Sequence, residues 1–196
     1  MTRLYRLDAP AADIAARFGA EAGKDPWTGD YVAPGRPAPI VIRDEKWRVR
    51  RVRPMFWGVP PPPRGTDSIT SVRNLESPFW IGTLRHTEFR CLIPATSFAL
   101  WSGPAGARRQ HWFAAADQPI FAMAGIVRFA DEIPTFAMLT TDPNRLVAHH
   151  HPGAMPLILP AEAHERWLTA DWKDAQGLVT PFPGQAMTVS DAPPVG

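Results

Sequence analysis

Three histidines in a row, His149-His150-His151, invite a chemical reading. Imidazole titrates near neutral pH, so one of them suits proton transfer in a catalytic site. Two other readings stand beside it. A helix C-terminus favours imidazolium against its dipole. A metal site is the third, but adjacent residues point about 100° apart on a helix and to opposite faces on a strand, so three in a row do not readily chelate one ion. The single cysteine, Cys91, offers no Cys-rich zinc site and no intrachain disulfide. It lies in the apolar run Arg90-Cys91-Leu92-Ile93 and reads as a small buried residue. No metal and no cofactor are expected.

A second group of residues suits a polyanion. Residues 36–109 carry 13 Lys/Arg against 5 Asp/Glu, whereas the rest of the chain carries 8 against 14. Arginine supplies 18 of the 21 basic residues, and its planar fork matches phosphate. Arg48, Arg50, Arg51 and Arg53 crowd one segment, and Arg73-Asn74 follows a short β-branched run. Trp57, in Phe56-Trp57-Gly58-Val59-Pro60, could stack a nucleic-acid base or pack in a core. The charge could equally be a solvated strand face. No phosphate-cradling glycine loop, Gly-x-Ser-x-Gly elbow or zinc-binding helix motif is present.

These residues need a frame of short strands. Ile40–Ile42, Trp47–Arg51, Arg90–Ile93, Phe98–Trp101, His111–Ala115, Ile120–Val127, Thr135–Thr140, Leu157–Leu159 and Ala186–Ser190 read as strands. Short helices are expected over Ala9–Phe18 (capped by Asp8 or Ala9), Pro78–Leu84 (capped by Ser77), Asp142 to His149, and Ala161–Leu168. Pro60–Pro63 must be stiff and extended, and the 23 prolines imply many fixed loops. The fold class is α+β: one domain, residues 1–190, with a curved or barrel-like, mainly antiparallel sheet and peripheral helices, followed by a flexible tail, 191–196. No apolar run reaches the roughly 18–20 residues of a membrane span, and the N-terminus has no secretory apolar stretch, so a cytoplasmic monomer is expected.

The segments, taken in order, resemble the SOS-response-associated peptidase family. Met1-Thr2-Arg3-Leu4-Tyr5 is similar to its Met-Cys-Asn-Leu-Tyr opening, and Phe56-Trp57-Gly58-Val59-Pro60 to Arg-Trp-Gly-Leu-Ile-Pro. Thr70-Ser71-Val72-Arg73-Asn74 resembles Thr-Asn-x-Arg-Asn, and Arg90-Cys91-Leu92-Ile93-Pro94-Ala95-Thr96-Ser97-Phe98 resembles Arg-Cys-Leu-Val-Pro-x-x-x-Phe. Leu139-Thr140-Thr141-Asp142-Pro143-Asn144 and His151-Pro152-Gly153-Ala154-Met155-Pro156 complete the series.

The resemblance implies binding of single-stranded DNA at abasic sites. It also implies attack of an N-terminal Cys on the open sugar aldehyde to give a thiazolidine crosslink. An Asn positions the N-terminus; a Glu and a late His move protons. A peptidase-like self-processing role is also attached to the family. Here Thr2 stands at the Cys position, Ser71 at the Asn position and Leu100, just before Trp101, at the Glu position; the His is present as His151. Arg73 stands where the family contacts phosphate. A hydroxyl has no accessible anion near neutral pH, so Thr2 cannot replace the thiol as a soft nucleophile. The expectation is a DNA-binding protein of this fold, degenerate for the crosslink, with Arg73, Asn74, Trp57, Arg48 and Arg50 on the DNA. One alternative is a residual enzyme using the Thr2 α-amine as a Schiff base or lyase, if Met1 is removed. The other is an interaction module that no longer binds DNA.

Overall fold

Stretches of alternating or wholly apolar residues separated by Gly, Pro and Asp turns become, among the described residues, fourteen strands with five short α-helices at the periphery. The computed structural model describes residues 2–63, 65–130 and 133–192. In chain order the elements are β1 (Tyr5–Leu7), α1 (Ala11–Phe18), β2 (Ala20–Glu21), β3 (Asp30–Val32), β4 (Pro37–Asp44), β5 (Val49–Trp57), β6 (Ser71–Val72) and α2 (Pro78–Arg85). There follow β7 (Arg90–Ala95), β8 (Ser97–Ser102), β9 (Arg109–Ala115), β10 (Phe121–Ala130), β11 (Ile133–Thr141) and α3 (Arg145–His150). β12 (Met155–Pro156), β13 (Ile158–Leu159), α4 (His164–Thr169), α5 (Trp172–Gln176) and β14 (Met187–Ser190) end the chain.

Strands β5, β4, β7, β10 and β11 pair in that order, and β11 then pairs back onto β5, so the sheet closes into a mixed barrel. The closing pair is parallel, Thr135 opposite Phe56 and Phe136 opposite Trp57. Closure removes the open edges that would otherwise invite pairing with other chains. Trp57 seals the seam. It is 1% exposed, stacks on Phe136 with centroids 6.2 Å apart, and donates its indole N–H to Thr70 O at 2.8 Å. Gly58 (φ 130°) follows it and donates to Phe136 O at 2.9 Å. At Gly125 a Cβ would fall 2.6 Å from Ile93 Cδ1, so only glycine lets β10 lie this close over β7.

A second sheet, ordered β14-β9-β8-β1-β3, is antiparallel throughout and leans on the barrel. Tyr5 of β1 reaches Trp57, centroids 5.4 Å apart, and is wholly buried. The N-terminal strand is therefore interior to a sheet and anchored in the core.

Several boundaries differ from expectation. Helix α1 starts at Ala11 with Pro10 as its N-cap; Asp8 instead pairs with Arg6 at 2.6 Å. Trp47 and Arg48 form a turn (Arg48 φ 55°), and β5 runs on to Trp57 through Pro54. Pro54 is tolerated because it sits opposite Pro39, in the gap between β5's pairings to β2 and β11. The helix expected from Asp142 begins at Arg145, with the Asn144 side chain accepting from Val147 N at 2.9 Å. Helix α5 and strands β1, β2, β3 and β6 are too short to carry a periodic signal. Of the expected tail, 193–196 lies outside the described residues. Among the described residues no helix is long and apolar enough to cross a membrane.

Two buried charges or potential charges hold the periphery to the barrel. The Arg90 guanidinium, fully buried, donates to Trp167 O at 2.8 Å and Ala170 O at 2.6 Å, closing the C-terminal carbonyls of α4. Arg90→Met should cost about 2–4 kcal/mol, because those carbonyls lose a charged donor; urea unfolding measures it. His164, 4% exposed, has its pKa lowered to about 4, mainly by burial. Its folded value lies below the unfolded one, so the unfolded chain binds the proton first as pH falls. Stability should thus be full above about pH 6.5 and drop by roughly 3 kcal/mol between pH 6.5 and 4. His164→Gln should flatten that part of the pH profile of the melting temperature.

Candidate functional site

The backbone of β1 and the residues before it are fixed by pairing: Tyr5 lies opposite Phe98, and Leu4 O accepts from Ala99 N at 2.9 Å. This carries Arg3 and Leu4 to the rim of a cavity of about 730 Å³, completed by Trp101, Gly103, Arg108 and His151. Two arginines and an imidazole in one wall, with an indole beside them, can receive an anionic, partly aromatic ligand.

His151 caps the C-terminus of α3, and its Nδ1 lies 3.1 Å from Trp101 O. A carbonyl only accepts, so Nδ1 carries the proton and Nε2 holds the lone pair. Burial lowers the His151 pKa; the Trp101 hydrogen bond works against that, and the positive chain terminus adds to it. The net shift favours the neutral ring. Gly153 explains the His-Pro-Gly spacing: a Cβ there would approach Nε2 to 3.0 Å.

The other positions distribute as follows. Thr2 is 2% exposed, and its hydroxyl is buried with no hydrogen-bond partner among the described residues. Leu100 is fully buried on β8, opposite His111, and offers no polar atom. Ser71 is half-buried on β6, opposite Met138 of β11. Of these, His151 lines the cavity, and Thr2 and Leu100 are chain neighbours of the lining residues Arg3 and Trp101.

The expected DNA-facing residues are dispersed. Trp57 lies in the barrel seam with its ring packed by Tyr5 and Phe136, so it has no face for a base. Arg73 is held by Asp142, and Asn74 caps a turn, accepting from Glu76 N at 3.1 Å. Arg50 donates to Phe18 O at 2.9 Å and pairs with Glu165 at 2.7 Å. Arg51 bridges Glu21 and Asp44 at 3.1 and 2.7 Å. Arg48 and Arg53 are exposed. Much of the positive charge of this segment is thus neutralised locally. Sequence reasoning passed over Arg3, Trp101 and Arg108; the adjacency of Arg3 to Thr2 and of Trp101 to Leu100 was the available signal.

The histidine triplet splits. His150 packs on His111 (centroids 4.5 Å) and Phe113, away from His151's contact with Trp101, and His149 lines a separate surface hollow with Arg145 and Gln185. Cys91 is fully buried, and burial pushes its thiol far above the usual range, so it is inert.

No curated protein matches the chain. Solved structures share its fold: a protein from Bacteroides thetaiotaomicron at 22% identity, with TM-score 0.76 over 95% of this chain and 90% of that one. A protein from Bordetella bronchiseptica matches at 20% identity and TM-score 0.78, over 96% and 98% of the two chains. A phage-related protein from the same organism matches at 19% and 0.77, over 96% and 92%. The family model described as SOS response associated peptidase (SRAP) matches residues 1–194, and the chain belongs to that family.

Proposed function

We propose that this protein binds single-stranded or abasic DNA through the cavity formed by the N-terminal segment, Trp101 and His151, and that it does not form the stable thiazolidine crosslink. The observation that carries the reading is the delivery of Arg3, Arg108, Trp101 and a neutral His151 to one cavity by the pinned N-terminus. Arginines supply the salt-dependent phosphate attraction, and an indole supplies a stacking surface. Arg3 and Arg108 take the role first assigned to Arg50, whose guanidinium is already committed to Glu165 and Phe18. Arg73 contributes once DNA phosphate competes with Asp142, and exposed Arg48 extends the attraction.

The crosslink chemistry lacks its parts. Thr2 offers a hydroxyl in place of a thiolate, and Leu100 offers nothing to carry a proton. A second reading rests on the buried, unpartnered Thr2 hydroxyl beside the cavity wall. After Met1 removal, the Thr2 α-amine would attack an abasic aldehyde, losing water to form an imine, with His151 Nε2 as proton acceptor.

The logarithm of the single-stranded DNA affinity should fall linearly with the logarithm of salt. Arg3→Ala and Arg108→Ala should each reduce that slope by about 0.7, the loss of one phosphate contact. Asp142→Asn should free Arg73 and tighten low-salt binding, whereas Arg50→Ala should lower stability and leave affinity nearly unchanged. Fluorescence anisotropy at several salt concentrations decides; absence of binding at 50 mM salt overturns the reading.

Wild-type protein should yield no heat-stable adduct with abasic DNA on a denaturing gel. With Met1 removed, borohydride should trap an imine, since an α-amine of pKa about 7.7–8.0 is partly neutral at pH 7. Thr2→Cys alone should restore little stable product. Adding Ser71→Asn and Leu100→Glu should restore far more, because groups acting as a unit are non-additive. His151→Ala should then slow the triple variant. A strong adduct from the unaltered chain would refute the degenerate-site proposal.

A further inference from the structure

Strand β8 carries Trp101 towards the cavity and, one residue on, a second reactive group. Ser102 Oγ lies 2.7 Å from His111 Nε2, across the β8–β9 ladder. The other nitrogen of the same ring, Nδ1, lies 3.3 Å from Asp191 Oδ1, just beyond β14. Nδ1 makes no well-aligned hydrogen bond, so Asp191 acts on it as a charge at close range. The Asp191 side chain is 93% exposed, and its charge favours the tautomer with the proton on Nδ1, in which the Nε2 lone pair faces the serine hydroxyl. His111 is 8% exposed, packed on one side by His150 and opposite Leu100 on the neighbouring strand.

We propose that Ser102, His111 and Asp191 form a nucleophilic centre that cleaves small carboxylic esters, independently of DNA binding. The order hydroxyl, imidazole, carboxylate on the two ring nitrogens is the arrangement that activates a serine, and it recurs on unrelated folds. Ser102 Oγ bonds to the acyl carbon while its proton passes to His111 Nε2. The tetrahedral adduct then breaks its bond to the leaving alkoxide, which takes that proton. Water next gives a proton to Nε2, attacks the acyl-serine and releases the carboxylic acid, and the proton on Nε2 returns to Ser102. Asp191 is a positioning residue. It favours the Nδ1 tautomer and opposes the imidazolium charge, and the contact tightens when substrate binds.

The surroundings permit access. Ser102 is partly exposed at the point where β8 gives way to an exposed loop over residues 103–108. Its chain neighbours Trp101 and Gly103 line the 730 Å³ cavity but Ser102 itself does not, so a small ester reaches it over the exposed 103–108 loop. The amide that follows the nucleophile is a common oxyanion donor, and here it belongs to Gly103. That residue has φ 84°, and a Cβ on it would fall 2.7 Å from Ala107 O, so the loop needs glycine there.

A fluorophosphonate probe reads the centre directly, since its phosphorus takes the Ser102 Oγ bond, fluoride leaves, and the serine proton goes to His111. Full-length protein should gain one adduct by intact mass, mapping to the peptide that contains Ser102, and should release p-nitrophenol from p-nitrophenyl acetate. Ser102→Ala should lose both. His111→Gln should slow labelling by about 100-fold or more. Asp191→Asn should slow it by about 10-fold or more, and Asp191→Glu should recover part of the loss, which a merely packed residue would not show. Folded wild-type protein with no adduct at Ser102, or Asp191→Asn labelling at the wild-type rate, overturns the proposal. Should His111→Gln fail to fold, the wild-type adduct and the Asp191 pair of variants still decide.

Discussion

The N-terminal strand is held on both edges, and the site depends on that. β1 lies between β8 and β3, with Arg6 opposite Ser97 on one side and Tyr31 on the other. Tyr5 reaches into the barrel against Trp57. A chain end normally frays, because nothing offsets the entropy of ordering it. Here ladder hydrogen bonds and a buried aromatic offset that cost. Arg3 and Leu4 therefore stand in a fixed relation to Trp101 and His151, whose elements are otherwise remote in sequence. A reactive or binding N-terminus needs this kind of anchorage, since a site held loosely by even 1 Å loses much of its effect.

The barrel seam explains why the most recognisable segments serve architecture as well as chemistry. Phe56-Trp57-Gly58 closes β5 onto β11, and Arg90-Cys91 places a guanidinium under α4 and a thiol against Gly125. These roles require one particular side chain each: an indole whose N–H reaches Thr70 O, a guanidinium that spans two carbonyls. Recognition of such segments gives the fold. It does not say which of them face a ligand.

That distinction marks what could be read from the chain. Short apolar runs bounded by turn residues marked the strands 90–95, 97–102 and 109–115 to within two residues, since a strand buried on both faces reads as a continuous apolar stretch. The closed barrel was legible as a class. Trp57 was not legible as seam or stacking platform, because residue type does not reveal which partner covers a ring. The basic segment misled for a similar reason. Arg50 finds Glu165, 115 positions away, and Arg73 finds Asp142, 69 away, so a charge count over a window omits the carboxylates that neutralise it. His151 was singled out by the family resemblance of His151-Pro152-Gly153, and in the structure Gly153 leaves room at Nε2. The Ser102–His111 contact was invisible, because it arises from a diagonal cross-strand neighbour relation set by register.

Strand β8 carries residues of both proposed sites. Leu100 lies opposite His111, Trp101 gives its carbonyl to His151 and its ring to the cavity, and Ser102 meets His111. The period of two sends alternate residues to opposite faces, so 100 and 102 share one environment and 101 has another. The adjacent histidines of α3 divide the same way, His150 on His111 and His151 on Trp101. A leucine at 100 keeps the His111 layer apolar, while the Asp191 side chain, 93% exposed, meets the ring from the solvent side. A carboxylate at 100 would supply a proton carrier to the N-terminal site, and it would also set a second negative charge across the strand from His111. The two sites therefore cannot be varied independently at this position. The leucine at 100 sets no charge across the ladder from His111.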